Sequence, residues 1–219
     1  MGNVRSLHNK TDELYSLCRF YRYASNITLT ETWLNENIPS SVCDLDNFTL
    51  IRHDRQGIQG KDRGGGVCTF INNTWCHPNN INVVRKISDT NIEILCVNAR
   101  PHYLPREFTN VCIMTVNIPP DGNKTEACTM MRDTIEDMKQ KSPDQVLIIS
   151  GDLNHCNDFS FPGLYQFVHS PTREKKTLDL YFYNVLSSYK CLPKAPLGSS
   201  DHSMLLMLPP VVRKIAPIK

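Results

Sequence analysis

A chain of 219 residues, 40% hydrophobic and 21% charged, has enough apolar content to bury a core and does not have the composition of a disordered protein. A formal net charge of +2 excludes an overall strongly basic surface, although a local basic strip would be hidden in that total. Nine cysteines without a Cys-x-x-Cys pair or a zinc-like Cys/His spacing argue against a zinc module and read as thiols of a reducing compartment.

No apolar run approaches the roughly 18 residues of a membrane span. Asn3, Arg5, His8, Asn9 and Lys10 interrupt anything resembling a signal-peptide core. A nuclear or cytoplasmic protein that is not secreted and does not meet a membrane is therefore expected. On that expectation sequons such as Asn26-Ile27-Thr28 carry no glycan.

In chain order, Met1 to Leu7 reads as the end of a strand that begins only just before Asn3. From about Asn9 the apolar spacing of Leu14, Leu17, Cys18 and Tyr21 predicts a helix, with Asp12 and Glu13 in its first turn. Asn26 to Thr30 is β-rich and stops at Glu31. Phe48 to Arg52 predicts a strand and Gln56 to Arg63 a polar connection. Gly64-Gly65-Gly66 leads into the apolar run Val67 to Ile71. A phosphate loop needs Gly-Lys-Ser/Thr opening a helix, so a hairpin or bulge is expected here. Asn72 to Asn80 is turn-rich, and Ile92 to Asn98 alternates as a strand.

Arg100 to Arg106 is a rigid, basic and aromatic loop, suited equally to a nucleic-acid backbone or to packing on the surface. Val111 to Ile118 predicts a strand ended by Pro119-Pro120. Asn123 and Glu126 have the spacing of a capping box for a helix that buries Ala127, Met131, Ile135 and Met138. Val146 to Ile149 reads as a strand buried on both faces, with Gly151 relaxing the backbone at its exit and Asp152 and Asn154 following. An irregular stretch containing Phe159, Phe161, Leu164 and Phe167 comes next, then a solvated turn over Arg173 to Lys176. Thr177 to Phe182 and Met204 to Leu208 predict the last strands. No internal repeat or second domain is visible, so residues 1–208 are expected to be one domain and 209–219 a linker-like tail. Asn3, Glu31, Asp152, Asn154, Asp179, Asp201 and His202 all fall at strand ends, which can converge on one edge of stacked sheets.

Asn3, Thr30-Glu31-Thr32-Trp33-Leu34, Gly151-Asp152-Leu153-Asn154, Leu178-Asp179 and Ser200-Asp201-His202 occur in the order of the endonuclease/exonuclease/phosphatase superfamily. Within it the chain resembles the apurinic-type endonuclease domain of LINE-like, non-long-terminal-repeat retrotransposons. Asn3 to Leu7, Arg63 to Gly66, Arg100-Pro101 with Tyr103 to Arg106, and Leu197 to His202 resemble the elements abundant in fish genomes. Nearly the whole chain is covered by the resemblance.

That resemblance implies an α/β protein of the α+β type, a four-layer α/β/β/α sandwich of two packed mixed sheets that is DNase I-like. It implies a divalent cation, Mg²⁺ or alternatively Mn²⁺, and hydrolysis of a DNA phosphodiester to leave a 3′-hydroxyl, as in target-primed retrotransposition. Glu31 would be the principal metal ligand with Asn3 beside it and Asp201 near. Asp152 would orient or deprotonate water, Asn154 would hold the phosphate, and His202, fixed by Asp179, would donate to a phosphoryl oxygen. Ser200, Arg100 and Tyr103 are further phosphate-binding candidates. Oxygen ligands suit magnesium, and donors aimed at the developing charge suit in-line attack.

Two departures stand out. Asn117 occupies the place of a tyrosine that the resemblance implies would reach the phosphate, a loss expected to cost on the order of 10²–10³ in rate. The short first strand is expected to endanger the placement of Asn3. The reverse transcriptase of a parent element is not in this chain, and a monomer is expected. Two alternatives remain open: a catalytically impaired remnant that at most binds DNA, and a phosphatase of the same superfamily.

Overall fold

The apolar runs become strands of two stacked sheets in a computed structural model, which describes residues 1–20, 23–55, 64–186 and 189–209, with only the backbone for 18–20. The first sheet is built from β1 (Gly2–Asn3), β2 (Asn26–Thr30), β3 (Phe48–His53) and β4 (Val67–Asn72) in the order β1-β2-β4-β3. Helix α1 (Thr11–Phe20) lies between β1 and β2 in the chain. The second sheet contains β5 (Ile81–Ser88), β6 (Glu93–Ala99), β7 (Val111–Asn117), β8 (Val146–Asp152), β9 (Tyr165–Gln166) and β10 (Asp179–Tyr183). Its order is β5-β6-β7-β8-β10-β9, with α2 (Lys124–Lys141) as the crossover that makes β7 and β8 parallel. Strands β11 (Lys190–Lys194) and β12 (Met204–Leu208) form a separate antiparallel pair.

Period-two alternation along buried strands produces the layers. Ile113 and Ile148 face the space between the sheets, where they pack with Val67, Ile71, Leu95 and Val97. Their neighbours Met114 and Ile149 face the other way, onto Ala127, Met131, Ile135 and Met138 of α2. Leu14 of α1 packs with Leu7, Leu29 and Phe70 on the outside of the first sheet. The result is the expected four-layer α/β/β/α sandwich. Two buried hydroxyl pairs pin the sheets together, Thr28 to Ser150 and Thr69 to Thr115, each at 2.8 Å.

Some local expectations change. Gly151 lies inside β8, not at its exit, with φ 151°, and an added Cβ would run into the carbonyl oxygen of Val116 across the parallel pair. β5 escaped the sequence reading because it is an edge strand with exposed Val83 and Val84, broken by a bulge between Val83 and Arg85. β11 escaped it because Pro193 sits in its middle. The capping box is half formed: Asn123 Oδ1 accepts from the Thr125 and Glu126 amides, while Glu126 accepts from the side chains of Asn123 and Asn91. β1 is short, yet it pairs in register with β2 (Asn3 opposite Thr30), and Asn3 is buried. The predicted connection at 56–63, the Tyr21 position, the side chain of Cys18 and the tail from 210 lie outside the described residues.

Gly151→Ala should therefore be among the costliest single-methyl additions in the chain. A destabilisation of about 3 kcal/mol or more is expected, because both the backbone conformation and the Val116 carbonyl oppose the methyl group. A shift in the urea unfolding midpoint against wild type measures it, and a near-wild-type midpoint would contradict this account.

Candidate active site

Register across the second sheet gathers the polar residues. Glu93 of β6 lies opposite Asn117 of β7, Asn117 beside Asp152 of β8, and Asp152 opposite Asp179 of β10. Residues in one cross-strand row share a face, so four polar side chains line one end of the sheet. The first sheet brings Asn3 at the end of β1 and Glu31 just past β2 to the same end. A cleft of about 620 Å³ opens there, lined by Asn3, Glu31, Asp152, Asn154 and His202 among others.

Asp152 is the buried floor of this cleft. Its Oδ2 accepts from Asn3 Nδ2 at 2.8 Å and its Oδ1 from the Asn154 amide at 3.0 Å. Burial and the charge of Asp179 push the Asp152 carboxyl up to about 7, against the opposing pull of His202, Asn3 and Asn154. His202 Nδ1 meets Asp179 Oδ2 at 2.7 Å, and its Nε2 lies 3.7 Å from Asp152 Oδ2. Burial alone would lower the His202 pKa; the hydrogen bond and charge of Asp179, helped by Asp152 and Asp201, outweigh it and hold the ring above its ordinary value. Asn154 stands at φ 45°, opening a 3-10 turn, and donates Nδ2 to the Ile118 carbonyl at 2.7 Å.

Glu31 sits on the other wall, at φ 55° in the left-handed region that side chains rarely adopt. Its Oε2 accepts from Trp33 Nε1 at 2.8 Å and the Gly65 amide at 2.9 Å, and its Oε1 from Asn117 Nδ2 at 2.7 Å. Asn117 Nδ2 also donates to Glu93 Oε2 at 2.8 Å. Glu93, which the sequence reading passed over, is buried and bidentate with Arg55, at 2.7 and 3.0 Å, and accepts from the Gly66 amide at 3.1 Å. Its signal was legible: a carboxylate opening a strand of buried apolar residues needs a partner. The glycine run thus neither cradles phosphate nor merely turns the chain. Its amides hold two carboxylates.

The remaining candidates divide. Ser200 Oγ donates to the Asn3 carbonyl at 2.7 Å and accepts from the His202 amide at 3.2 Å, so it braces the site and is itself buried. Asp201 lines the cleft with its carboxylate between Arg5 (3.1 Å) and Arg173 (2.7 Å), and its Oδ1 is buried without a hydrogen-bond partner among the described residues. Arg100 and Tyr103 are not brought to the cleft. They follow Ala99, at the opposite end of β6 from Glu93 and about 20 Å away by strand rise. Arg100 donates to the Thr109 carbonyl, and Tyr103 is 95% exposed. Asn117 joins the site but does not line the cleft, since its two N–H groups are taken by Glu31 and Glu93.

Asp152, Asp179 and His202 offer ligand atoms within 4.8 Å of one another, a spacing that can hold a metal ion. Asp179 Oδ1 is buried without a hydrogen-bond partner among the described residues. Asp179 nevertheless is hydrogen-bonded to His202 and does not line the cleft, so a cation entering from solvent meets Glu31, Asp152 and Asn3 first. That oxygen-rich set fits a hard divalent cation. Among the described residues, no helix is long and apolar enough to cross a membrane.

The same architecture occurs in solved structures. The AP endonuclease LMAP from Leishmania major matches with a TM-score of 0.64 at 15% identity, covering 94% of this chain and 85% of that one. The 3′ phosphatase NExo from Neisseria, bound to a product DNA hairpin, matches with a TM-score of 0.64 at 12% identity over 95% and 98%. The human Nocturnin catalytic domain, with a bound sulfate anion, matches with 0.65 at 12% over 94% and 91%. No protein-family model matches the chain, and no curated protein matches its sequence. At these identities the likeness establishes that the chain has the fold of these endonuclease/exonuclease/phosphatase proteins.

The raised Asp152 pKa has a consequence for stability. A carboxyl that binds its proton more tightly when folded contributes most below its unfolded value of 3.8, and that contribution is lost as the pH rises through about 7. In metal-free buffer at pH 8, Asp152→Asn is expected to raise Tm by several degrees, at about 2–4 °C per kcal/mol for a chain of this size. Thermal unfolding followed by circular dichroism should show the advantage shrinking as the pH approaches 4.

Proposed function

We propose that the protein is a metal-dependent endonuclease that hydrolyses a DNA phosphodiester and leaves a 3′-hydroxyl. The observation that carries this is the convergence, at one cleft, of a buried carboxylate near neutrality, an Asp-paired histidine and an oxygen-donor wall. Glu31, Asn3 and Asp152 would hold the cation, Mg²⁺ or Mn²⁺. Bound there, it would supply Lewis-acid polarisation of the phosphate.

Asp152 orients the attacking water and takes its proton; in the metal-free site, burial and the charge of Asp179 raise its carboxyl to about 7. His202 donates to the phosphoryl oxygen through Nε2, while Asp179 fixes the ring by Nδ1 and favours its protonated form. Asn154 keeps one N–H beyond its bond to Ile118 and offers it to the phosphate. Ser200 and Asn117 are positioning residues, one bracing Asn3 and the other Glu31. The LINE-like origin and the associated reverse transcription rest on the sequence resemblance alone, and placement in the nucleus or cytoplasm rests on the cysteine usage and polar N-terminus of the sequence.

One observation favours the impaired-remnant reading. Asn117 stands where a tyrosine is implied, and it has no free N–H for the phosphate. Restoring the tyrosine is not a simple repair, because one phenolic O–H replaces two N–H groups between two carboxylates. Asn117→Tyr is expected to lose about 1–3 kcal/mol of stability without raising the rate, as read by urea unfolding and cleavage together. The phosphatase reading is separated by comparing plasmid with small phosphomonoesters.

Purified protein with Mg²⁺ is expected to nick supercoiled plasmid, and EDTA to stop it. Asp152→Ala and His202→Ala should each lower the nicking rate on the order of 10²–10⁴. DNA binding without any metal-dependent nicking would leave the remnant reading in its place.

A further inference from the structure

Arg5 and Arg173 come from opposite parts of the fold and meet on one carboxylate. Arg5 follows β1, and Arg173 lies in the turn before β10. Both line the cleft, and their side chains are 49% and 42% exposed, so a ligand can reach them. Asp201, between them, is the residue next to His202.

Each arginine stands on a pinned backbone. Arg5 is at φ 43° and Ser6 at φ 84°, a conformation held by Lys10 Nζ on the Val4 and Arg5 carbonyls and by the Ser6 amide on the Glu31 carbonyl. Arg173 exchanges two backbone hydrogen bonds with Lys176, and the Ser203 amide ties that turn to the Asp201–His202 segment through the Thr172 carbonyl. An ordinary surface ion pair is worth little and needs no such support. Two guanidiniums on one carboxylate also leave a net positive charge at the mouth of an otherwise acidic cleft. Each guanidinium has five N–H donors and needs only one or two for Asp201.

We infer that Arg5 and Arg173, gathered on the Asp201 carboxylate, form a two-guanidinium cradle for the phosphate next to the one being cleaved. The inference rests on the strand-cleaving reading and deepens it. The substrate is a polynucleotide strand with a second phosphate beside the scissile one. A small phosphomonoester has nothing to place in the cradle. Planar guanidiniums recognise phosphate oxygens in pairs, which a lysine cannot reproduce.

The test is binding, measured by fluorescence anisotropy without divalent cation, to short DNA duplexes that each carry one neutral methylphosphonate linkage. Wild type is expected to show a linkage at which neutralisation weakens binding about tenfold. Arg5→Ala/Arg173→Ala should reduce that effect below twofold and lower the slope of log affinity against log salt by about 1. Arg5→Gln/Asp201→Asn/Arg173→Gln, which keeps hydrogen-bonding groups but removes the charges, should behave alike and guards against misfolding of the first variant. Variants that retain the wild-type sensitivity, or a wild type that binds no duplex, overturn the cradle. If wild type shows the arginine-dependent linkage but never nicks DNA with Mg²⁺, the catalytic reading fails and the cradle stands. If it nicks while the variants bind unchanged, the reverse holds.

Discussion

Two carboxylates, Glu31 from the first sheet and Glu93 from the second, are held within hydrogen-bond distance of a single amide nitrogen on Asn117. Neighbouring like charges repel, and Glu93 is also buried away from hydration, so this arrangement exists only because donors surround it. Arg55 neutralises Glu93, and Trp33, Gly65 and Gly66 supply N–H groups. The network is what fastens the two sheets at the end where the cleft opens. Lower in the sandwich the same task falls to neutral hydroxyl pairs, Thr28 with Ser150 and Thr69 with Thr115. The site therefore inherits its geometry from contacts between sheets, not from any one loop.

Around that network the backbone is strained in a way that serves placement. Glu31, Trp33 and Asn154 adopt left-handed conformations as non-glycine residues. Each costs on the order of 1–3 kcal/mol and persists only where surrounding bonds over-determine it. For Glu31 those bonds are visible: its carbonyl accepts from Ser6, and the two following amides, of Thr32 and Trp33, donate to the carbonyls of Gly66 and Gly65. Gly151 contributes by absence, since the missing Cβ lets β7 and β8 approach closely enough to set Asn117 beside Asp152.

The polar cluster was legible as a list and not as a map. Acids, amides and a histidine flanking apolar strands at either end are a visible pattern, and Asn3, Glu31, Asp152, Asp179 and His202 share it. Glu93 falls inside the run Ile92 to Asn98, where it reads as one polar position of an alternating strand and not as a flanking residue. Arg100 and Tyr103 attracted notice because basic and aromatic residues share a loop. Composition carries no direction, however, and that loop leaves β6 at the wrong end. The surroundings of Asp201 are hidden in the same way: its neighbour His202 belongs to the cleft floor, while Arg5 and Arg173, which approach its carboxylate, lie about 170 residues apart in the chain.

By itself the sequence determined the number and kind of most elements. Apolar period and capping residues act locally, through side chains a few positions apart, and β2, β7, β8 and α2 follow from them. It also supplied the candidate residues, as acids and amides beside apolar strands. Only the tertiary structure decided the register that places Glu93, Asn117, Asp152 and Asp179 in one row. It alone decided that Asn117 serves two carboxylates and that Asp201 serves two arginines. Pairing of distant strands is set by the packing of whole faces, and no local pattern carries that information.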